Sequence, residues 1–429
     1  MKLRSAAALF SLTFFMTSVS AAEWNRFRGP DGLGLAADSN LPTEWSSTKN
    51  IAWKTPLPGP GSSSPIVVGD RIYLTSYSGY ALSVEEPGDV EKLVRYVICL
   101  DRASGKIIWQ KEVAARQPES EYSAGNDSWH GYATSTPAAD AENLYIFFGI
   151  SGVYCLSQAD GAERWHAEVG TKTHGWGSGN SPILFENLVI VNAAVESDSL
   201  VALDKSTGKQ VWSARVGKGA RNTPNLVKVA GGKTELVVSL PGDPQGKIVG
   251  LDPRTGEELW SCRGIRDGGY VCPSVVAHDG VVYAIGGRKN TAVAVKAGGR
   301  GDVSETHILW TVGKGSNVSS PAYHDGRLYW VHERQGVLIC LDAKTGETVF
   351  EERIEPRPGI VYSSVTIADG KIYAVSQHAG TFVFEAGSAF KQLANNTFDK
   401  DERANACLAV DRGQLLLRDD GFLYCIGER

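Results

Sequence analysis

Beyond its first twenty positions, this 429-residue chain has no long helical periodicity of apolar residues, and that absence excludes a helical fold. No second apolar run approaches the ~20 residues a membrane-spanning helix needs. There is no basic stripe, and the formal net charge is −5. A nucleic-acid partner is therefore argued against, because neutralising phosphates requires clustered cations. The chain has no H-E-x-x-H, no G-x-S-x-G and no G-x-x-x-x-G-K-S/T, so metalloprotease, nucleophile-elbow and P-loop chemistry have no carrier. C-x-x-C-H is missing as well, which excludes covalent haem attachment. The nearest approach to a dinucleotide fingerprint is Gly32, Gly34 and Ala37 in GLGLAA; no strand precedes it, and it reads as a flexible N-terminal loop.

The leader MKLRSAAALFSLTFFMTSVSAA has Lys2 and Arg4, then an apolar stretch, then Ser20, Ala21 and Ala22. This order of charge, apolar core and small residues predicts a cleaved export signal over residues 1–22 and a periplasmic or extracellular location. Removing it takes the net charge from −5 to −7. No Cys lies near the cleavage site to carry a lipid anchor. Export permits disulfides, yet the seven cysteines do not form a framework. Cys99, Cys155, Cys340 and Cys425 share one slot, in VICLD, VYCLS, LICLD and LYCIG, and read as small buried apolar residues. Cys272 and Cys407 fall where other copies of a repeat use Ser or Thr. Cys262 and Cys272 are left as the one local pair able to close a loop.

What the chain does have is a ten-residue phrase in five clear copies. They read LDRASGKIIW (100–109), LSQADGAERW (156–165), LDKSTGKQVW (203–212), LDPRTGEELW (251–260) and LDAKTGETVF (341–350). Leu comes first, Gly sixth and an aromatic tenth. A strand ends at Leu-Asp, a turn containing a positive-φ Gly reverses it, and a second strand carries the aromatic onto the sheet. Asp101, Asp204, Asp252 and Asp342 should cap their own turns. Worn copies occupy 294–310, with an inserted loop, and 384–390.

Upstream of each phrase runs a small residue, usually with Pro, followed by two short strands. Eight such elements begin near Ser62, Thr134, Gly179, Arg221, Tyr270, Val318, Tyr362 and Asn405. Two strands plus the hairpin make a four-stranded antiparallel unit, and units of this length must stack to bury their faces. The prediction is an all-β, eight-bladed β-propeller over residues 51–429, preceded by an extension over 23–50. The last blade lacks an outer strand, because the chain stops at LYCIGER. NIAWKTPL near the N-terminus supplies it, with Trp53 as the missing aromatic, and closes the ring. Trp53, Trp109, Trp165, Trp212, Trp260 and Trp310 are assigned to the core.

The phrase is similar to the repeat of the pyrroloquinoline quinone (PQQ) repeat propellers, whose members include quinoprotein alcohol dehydrogenases and BamB-type outer-membrane assembly factors. WNRFRGPDGLG (24–34), LPTEW (41–45) and IAWKTPLPGPGSSSP (51–65) resemble, more narrowly, secreted PQQ-like propellers of planctomycetes. The resemblance implies a fold, with activity left to the loops. Quinoprotein dehydrogenases pair the propeller with an adjacent Cys-Cys disulfide, a carboxylate base and Ca²⁺-binding oxygens, and this chain has no adjacent cysteines.

Loops between blades, and between the second and third strands of a blade, emerge on one face of a propeller. There the candidate ligand-binding residues are Trp129, His130, Tyr132, His174, Trp176, Arg221, Asn222, Tyr270, Arg288, Asn317, His332, Tyr362 and Arg403. Arg334, His378, Asn405, Arg418 and Asp419 lie in the same loops. Aromatic and basic groups together suit an anionic or glycan-like ligand, or a protein segment. The expected function is a non-catalytic, exported binding scaffold that offers this face to a protein or polysaccharide, with no cofactor or metal. The alternative is a PQQ- and Ca²⁺-dependent oxidoreductase acting on alcohols or sugars.

Overall fold

The computed structural model describes residues 23–83, 85–121, 130–287, 289–399 and 402–428. The leader, Trp129 and Arg288 lie outside the described residues. Eight antiparallel sheets follow one another around a ring. The first blade is built from Ile66–Val68, Arg71–Ser78, Val94–Asp101 and Ile107–Ala114. Six more repeat the same inner-to-outer order. In the eighth, Ala409–Asp411, Gln414–Arg418 and Phe422–Ile426 are completed by Ile51–Pro56, which pairs antiparallel with Phe422–Ile426. Ring closure by the N-terminal strand is therefore as expected, with Trp53 opposite Cys425. No helix among the described residues is long and apolar enough to cross a membrane.

The ten-residue phrase turns out to link one blade to the next. In five of the six signature Trp the indole Nε1 donates to the carbonyl of the third residue of the following blade's phrase. The pairs are Trp53 to Arg102, Trp109 to Gln158, Trp165 to Lys205, Trp212 to Pro253 and Trp310 to Ala343, at 2.8–3.2 Å. The same ring lies on the phrase's glycine. A Cβ on Gly105, Gly161, Gly208, Gly256 or Gly346 would sit only 2.4–2.9 Å from the indole, and all five have φ of 70–75°. Glycine is thus required twice, for the turn and for the approach of the neighbouring blade's Trp. Trp260 faces the worn copy and differs: its Nε1 donates to Glu235 at 2.7 Å. The inserted loop of that copy adds Gly301–Asp302 as a fifth, parallel strand beside Trp260 and Ser261. Trp109 is half-buried, a departure from the core assignment, while the other five are at most 9% exposed.

Asp101, Asp204, Asp252 and Asp342 accept backbone N–H bonds from the turns they begin. Cys99, Cys155, Cys340 and Cys425 are buried, each opposite a signature aromatic. All seven cysteines are free thiols, including Cys262 and Cys272.

The segment expected to be a flexible loop is instead packed across the base of the channel. Trp24 O accepts from Val67 in blade 1, and Asn25 exchanges bonds with Ala139 in blade 2. Arg26 reaches Asn225 in blade 4, Arg28 reaches Pro321 in blade 6, and Leu35 pairs with Ile367 in blade 7. A dozen residues that touch the inner strands of opposite blades must cross the axis. Bulk explains the order: Trp24 and Arg28 are 2% and 1% exposed.

The Trp–Gly lock predicts a non-additive pair. Gly208→Ala should destabilise by more than the ~1–2 kcal/mol that a left-handed conformation costs any L-residue. In a Trp165→Ala background the same change should cost only that strain, leaving a coupling above about 0.5 kcal/mol in denaturant titrations. Additive costs would refute the lock.

Candidate functional site

Each blade enters the ring through one residue two positions before its first strand. In seven blades it is a hydroxyl residue, Ser64, Thr136, Ser181, Thr223, Ser274, Ser320 or Ser364, and in the eighth it is Cys407. The backbone N–H of each donates to the side chain of the next, from Ser64 round to Cys407 and from Cys407 back to Ser64, at 2.9–3.2 Å. This closed circuit satisfies eight buried amides that no strand pairs. Cys407 holds the expected Ser/Thr slot. Cys272 does not: Ser274 takes the slot, and Cys272 stands two residues earlier.

Two residues upstream of the circuit, the chain presents a second layer toward the funnel mouth. It reads Ser62, Thr134, Gly179, Arg221, Cys272, Val318, Tyr362 and Asn405, one per blade, and all eight line a cavity of about 330 Å³. Phe27 from the crossing segment reaches the same cavity, and His130, Trp176, Tyr270 and Arg334 complete its wall. The circuit is nearly uniform, whereas this layer is not. Its chemistry is therefore free of the closure constraint.

Of the residues expected to form the site, His130, Trp176, Arg221, Tyr270 and Tyr362 come together here. The Arg221 guanidinium lies over the Trp176 ring, 5.3 Å from its centroid, and donates to Gly177 O at 2.7 Å. Trp176 meets Tyr270 edge-on at 5.0 Å. His130 Nε2 bonds Trp176 O and Nδ1 bonds Thr134 Oγ1, both at 2.7 Å, so it holds two lining loops together. Burial pushes the Tyr362 phenol up to about 12, against the pull of Arg334. Burial likewise pushes the Cys272 thiol up to about 11, with Arg221 opposing. At neutral pH both stay protonated.

The other expected residues lie outside this lining. Tyr132 is buried, donating to Ser120 O and packing on Tyr77 and Tyr80. Asn222 is 1% exposed and donates to Ser239 O and Val271 O. Asn317 and His332 both contact Glu333. Arg403 pairs with Asp420 at 2.8 Å. His174 stands on the exposed loop, its Nδ1 accepting from Trp176 N. These residues support loops rather than the cavity. Arg334 and Asn405, expected in the same loops, also line the cavity, while the residues left out of the expectation, above all Ser62, Thr134, Cys272 and Phe27, were findable only in part. A fixed offset from the Pro element marks the first three, whereas the reach of Phe27 has no local signal.

The lining has two arginines and a histidine but no carboxylate. Ca²⁺ is held by six to eight oxygens in which carboxylates carry the charge. Among the described residues no group of three His, Cys, Asp or Glu could hold a metal ion. The residues present therefore do not fit a calcium–quinone centre.

The sequence model of the outer membrane protein assembly factor BamB family matches residues 95–350 and 302–393. The tetrathionate hydrolase of Acidithiobacillus ferrooxidans is 23% identical over 358 residues, which cover 76% of this chain. The match spans 65% of that curated relative's length. BamB from Moraxella catarrhalis superposes with a TM-score of 0.60 at 15% identity, covering 88% of this chain and 97% of that one. The computationally designed Ika8 protein gives 0.56 at 12% identity, covering 90% and 100%. At these identities the structures speak for the fold alone.

Behind the Trp176 loop lies a buried acid. Glu196 is 1% exposed; its carboxylate accepts from Ser178 Oγ, and its carbonyl accepts from Thr171 N and Lys172 N. Oε2 has no partner. Burial pushes this carboxyl up from 4.5 to about 7, with Ser178 opposing. Because the folded state holds the proton more tightly, its contribution is full below the unfolded pKa and lost as pH rises through 7, amounting to roughly 3 kcal/mol. Glu196→Gln keeps the amide oxygen for Ser178 and should flatten stability between pH 5 and about 8 relative to the parent in denaturant titrations. Parallel profiles would contradict the assignment.

Proposed function

The chain belongs to the family of the outer membrane protein assembly factor BamB, and from that premise we propose a non-catalytic binding protein, acting outside the cytoplasm, whose funnel captures an anionic group on a protein or polysaccharide partner. One observation carries this reading: the cavity wall combines Arg221 and Arg334 with hydroxyls and aromatic rings and contains no carboxylate. A guanidinium recognises a carboxylate or phosphate through paired, charge-assisted bonds. Stacking on Trp176 fixes Arg221 in advance, so less freedom is lost on binding. The hydroxyl circuit holds the wall rigid beneath it.

The same wall has little to drive a reaction. Of its two thiols, Cys272 is protonated and Cys407 is engaged in the circuit, and both nitrogens of His130 are engaged in holding loops. A second reading follows from the cavity's small-molecule size and positive wall: a compact oxoanion, of the class named by the tetrathionate hydrolase relative, would suit the same two arginines.

Calorimetric titration with an acidic peptide, a uronic-acid oligosaccharide and tetrathionate separates these readings. Arg221→Ala and Arg334→Ala should each weaken the true ligand by roughly tenfold to a hundredfold, the worth of a charge-assisted bond of ~1.5–3 kcal/mol. Their unfolding temperatures should stay near that of the parent. Affinity unchanged in both variants would remove the funnel from the function. Saturable PQQ binding with dye-linked turnover of alcohols or sugars would replace the scaffold with the oxidoreductase.

A further inference from the structure

On the far side of the hydroxyl circuit, the crossing segment buries two arginines without a counter-ion. Arg26 and Arg28 are 8% and 1% exposed. Arg26 Nη2 donates to Asn225 Oδ1 at 3.1 Å; Arg28 Nη2 donates to Pro321 O at 2.6 Å and Leu33 O at 3.1 Å. All three acceptors are neutral. Arg26 Nε, Arg28 Nε and Arg28 Nη1 are buried with no hydrogen-bond partner. Among the described residues neither guanidinium has a carboxylate within salt-bridge distance. The acidic groups acting on them are the exposed Asp31, on Arg26, and the Cys407 thiol, on Arg28.

Leaving three charged donors buried and unmet is costly, because an unpaired buried charge forfeits its hydration and gains nothing in return. Deprotonation does not relieve it. Burial lowers both guanidinium groups only to about 10, so at neutral pH two like charges share the base of the channel and repel one another. Packing is close there, since a Cβ on Gly32 would meet Arg26 Nη2 at 2.2 Å and one on Gly34 would meet Arg28 Nη2 at 2.9 Å. Any ion held between the two guanidinium groups must therefore be small.

We propose that a small inorganic anion of the halide class binds at the base of the channel, bridging the free donors of Arg26 and Arg28 and fixing the N-terminal segment across the ring. The ion accepts the bonds that Asn225, Leu33 and Pro321 leave unmet, and its charge offsets the repulsion between the two cations. This site is independent of the funnel ligand, from which the hydroxyl circuit and Phe27 separate it. Its role is structural: the segment it anchors leads into Ile51–Pro56, the strand that closes blade 8.

Crystals of the mature chain grown in sodium bromide test the site directly. An anomalous peak between Arg26 and Arg28 is expected. Water refined at that position, with no anomalous signal, would overturn the proposal. In solution, the unfolding temperature should rise by roughly one to two degrees per tenfold increase in chloride at constant ionic strength, with gluconate as the balancing anion. Arg28→Met should lose that dependence, while Arg221→Ala, which disables only the funnel, should keep it. A chloride dependence equal in all three proteins would count against the site. If Arg28→Met does not fold, the bromide map of the parent chain decides.

Discussion

Everything in this molecule depends on a closed circuit of eight hydrogen bonds in which each blade's backbone amide is met by the next blade's side chain. The amides belong to buried residues at the centre of the ring, where the innermost strands have no further strand to pair with. An unmet buried N–H costs about 1–3 kcal/mol, so the circuit must be complete or the centre opens. A short side chain that both accepts and leaves room for its neighbour is therefore required in every blade, and Ser or Thr meets that need. The thiol of Cys407 is the one substitution, and its bond, at 3.2 Å, is the longest of the eight.

A second set of constraints works at the outer radius. There five of the six signature Trp lie on the next blade's phrase, each donating to a carbonyl and covering a glycine. The two layers divide the labour. Inner hydroxyls set the pitch of the ring, and outer indoles exclude water between blades. Because neither involves the residues just upstream of the circuit, those eight positions can vary in size and charge without loosening the propeller. That freedom is what allows Arg221, Tyr362 and Asn405 to share one wall.

Charge is partitioned along the axis. The funnel wall carries Arg221 and Arg334 and no carboxylate, and the base carries Arg26 and Arg28. A protein with a formal charge of −5 thus keeps a positive axis. Burial in a low-dielectric interior magnifies the effect of these few cations, and burial likewise raises the Glu196 carboxyl behind the Trp176 loop to about 7.

The sequence by itself determined the architecture, because the repeat is local. Phrase, glycine and aromatic recur at fixed register, each copy builds one hairpin, and a count of copies yields the blades, the incomplete last one and its completion by Trp53. It also determined which loops share a face, so His130, Trp176, Arg221, Tyr270 and Tyr362 were recognisable as neighbours. Only the tertiary structure decided what those loops do once assembled. Tyr132, Asn222 and Arg403 have the same residue types and loop positions, yet they turn toward buried carbonyls or a carboxylate, because orientation depends on partners far away in the chain. The small-residue slot was legible, but its purpose was not, since a hydrogen bond between blades has no signature within one blade. Least legible was the N-terminal segment. Nothing local distinguishes GLGLAA from a flexible loop, and only the empty axis of a closed ring gives Trp24, Arg26 and Arg28 a place to be buried.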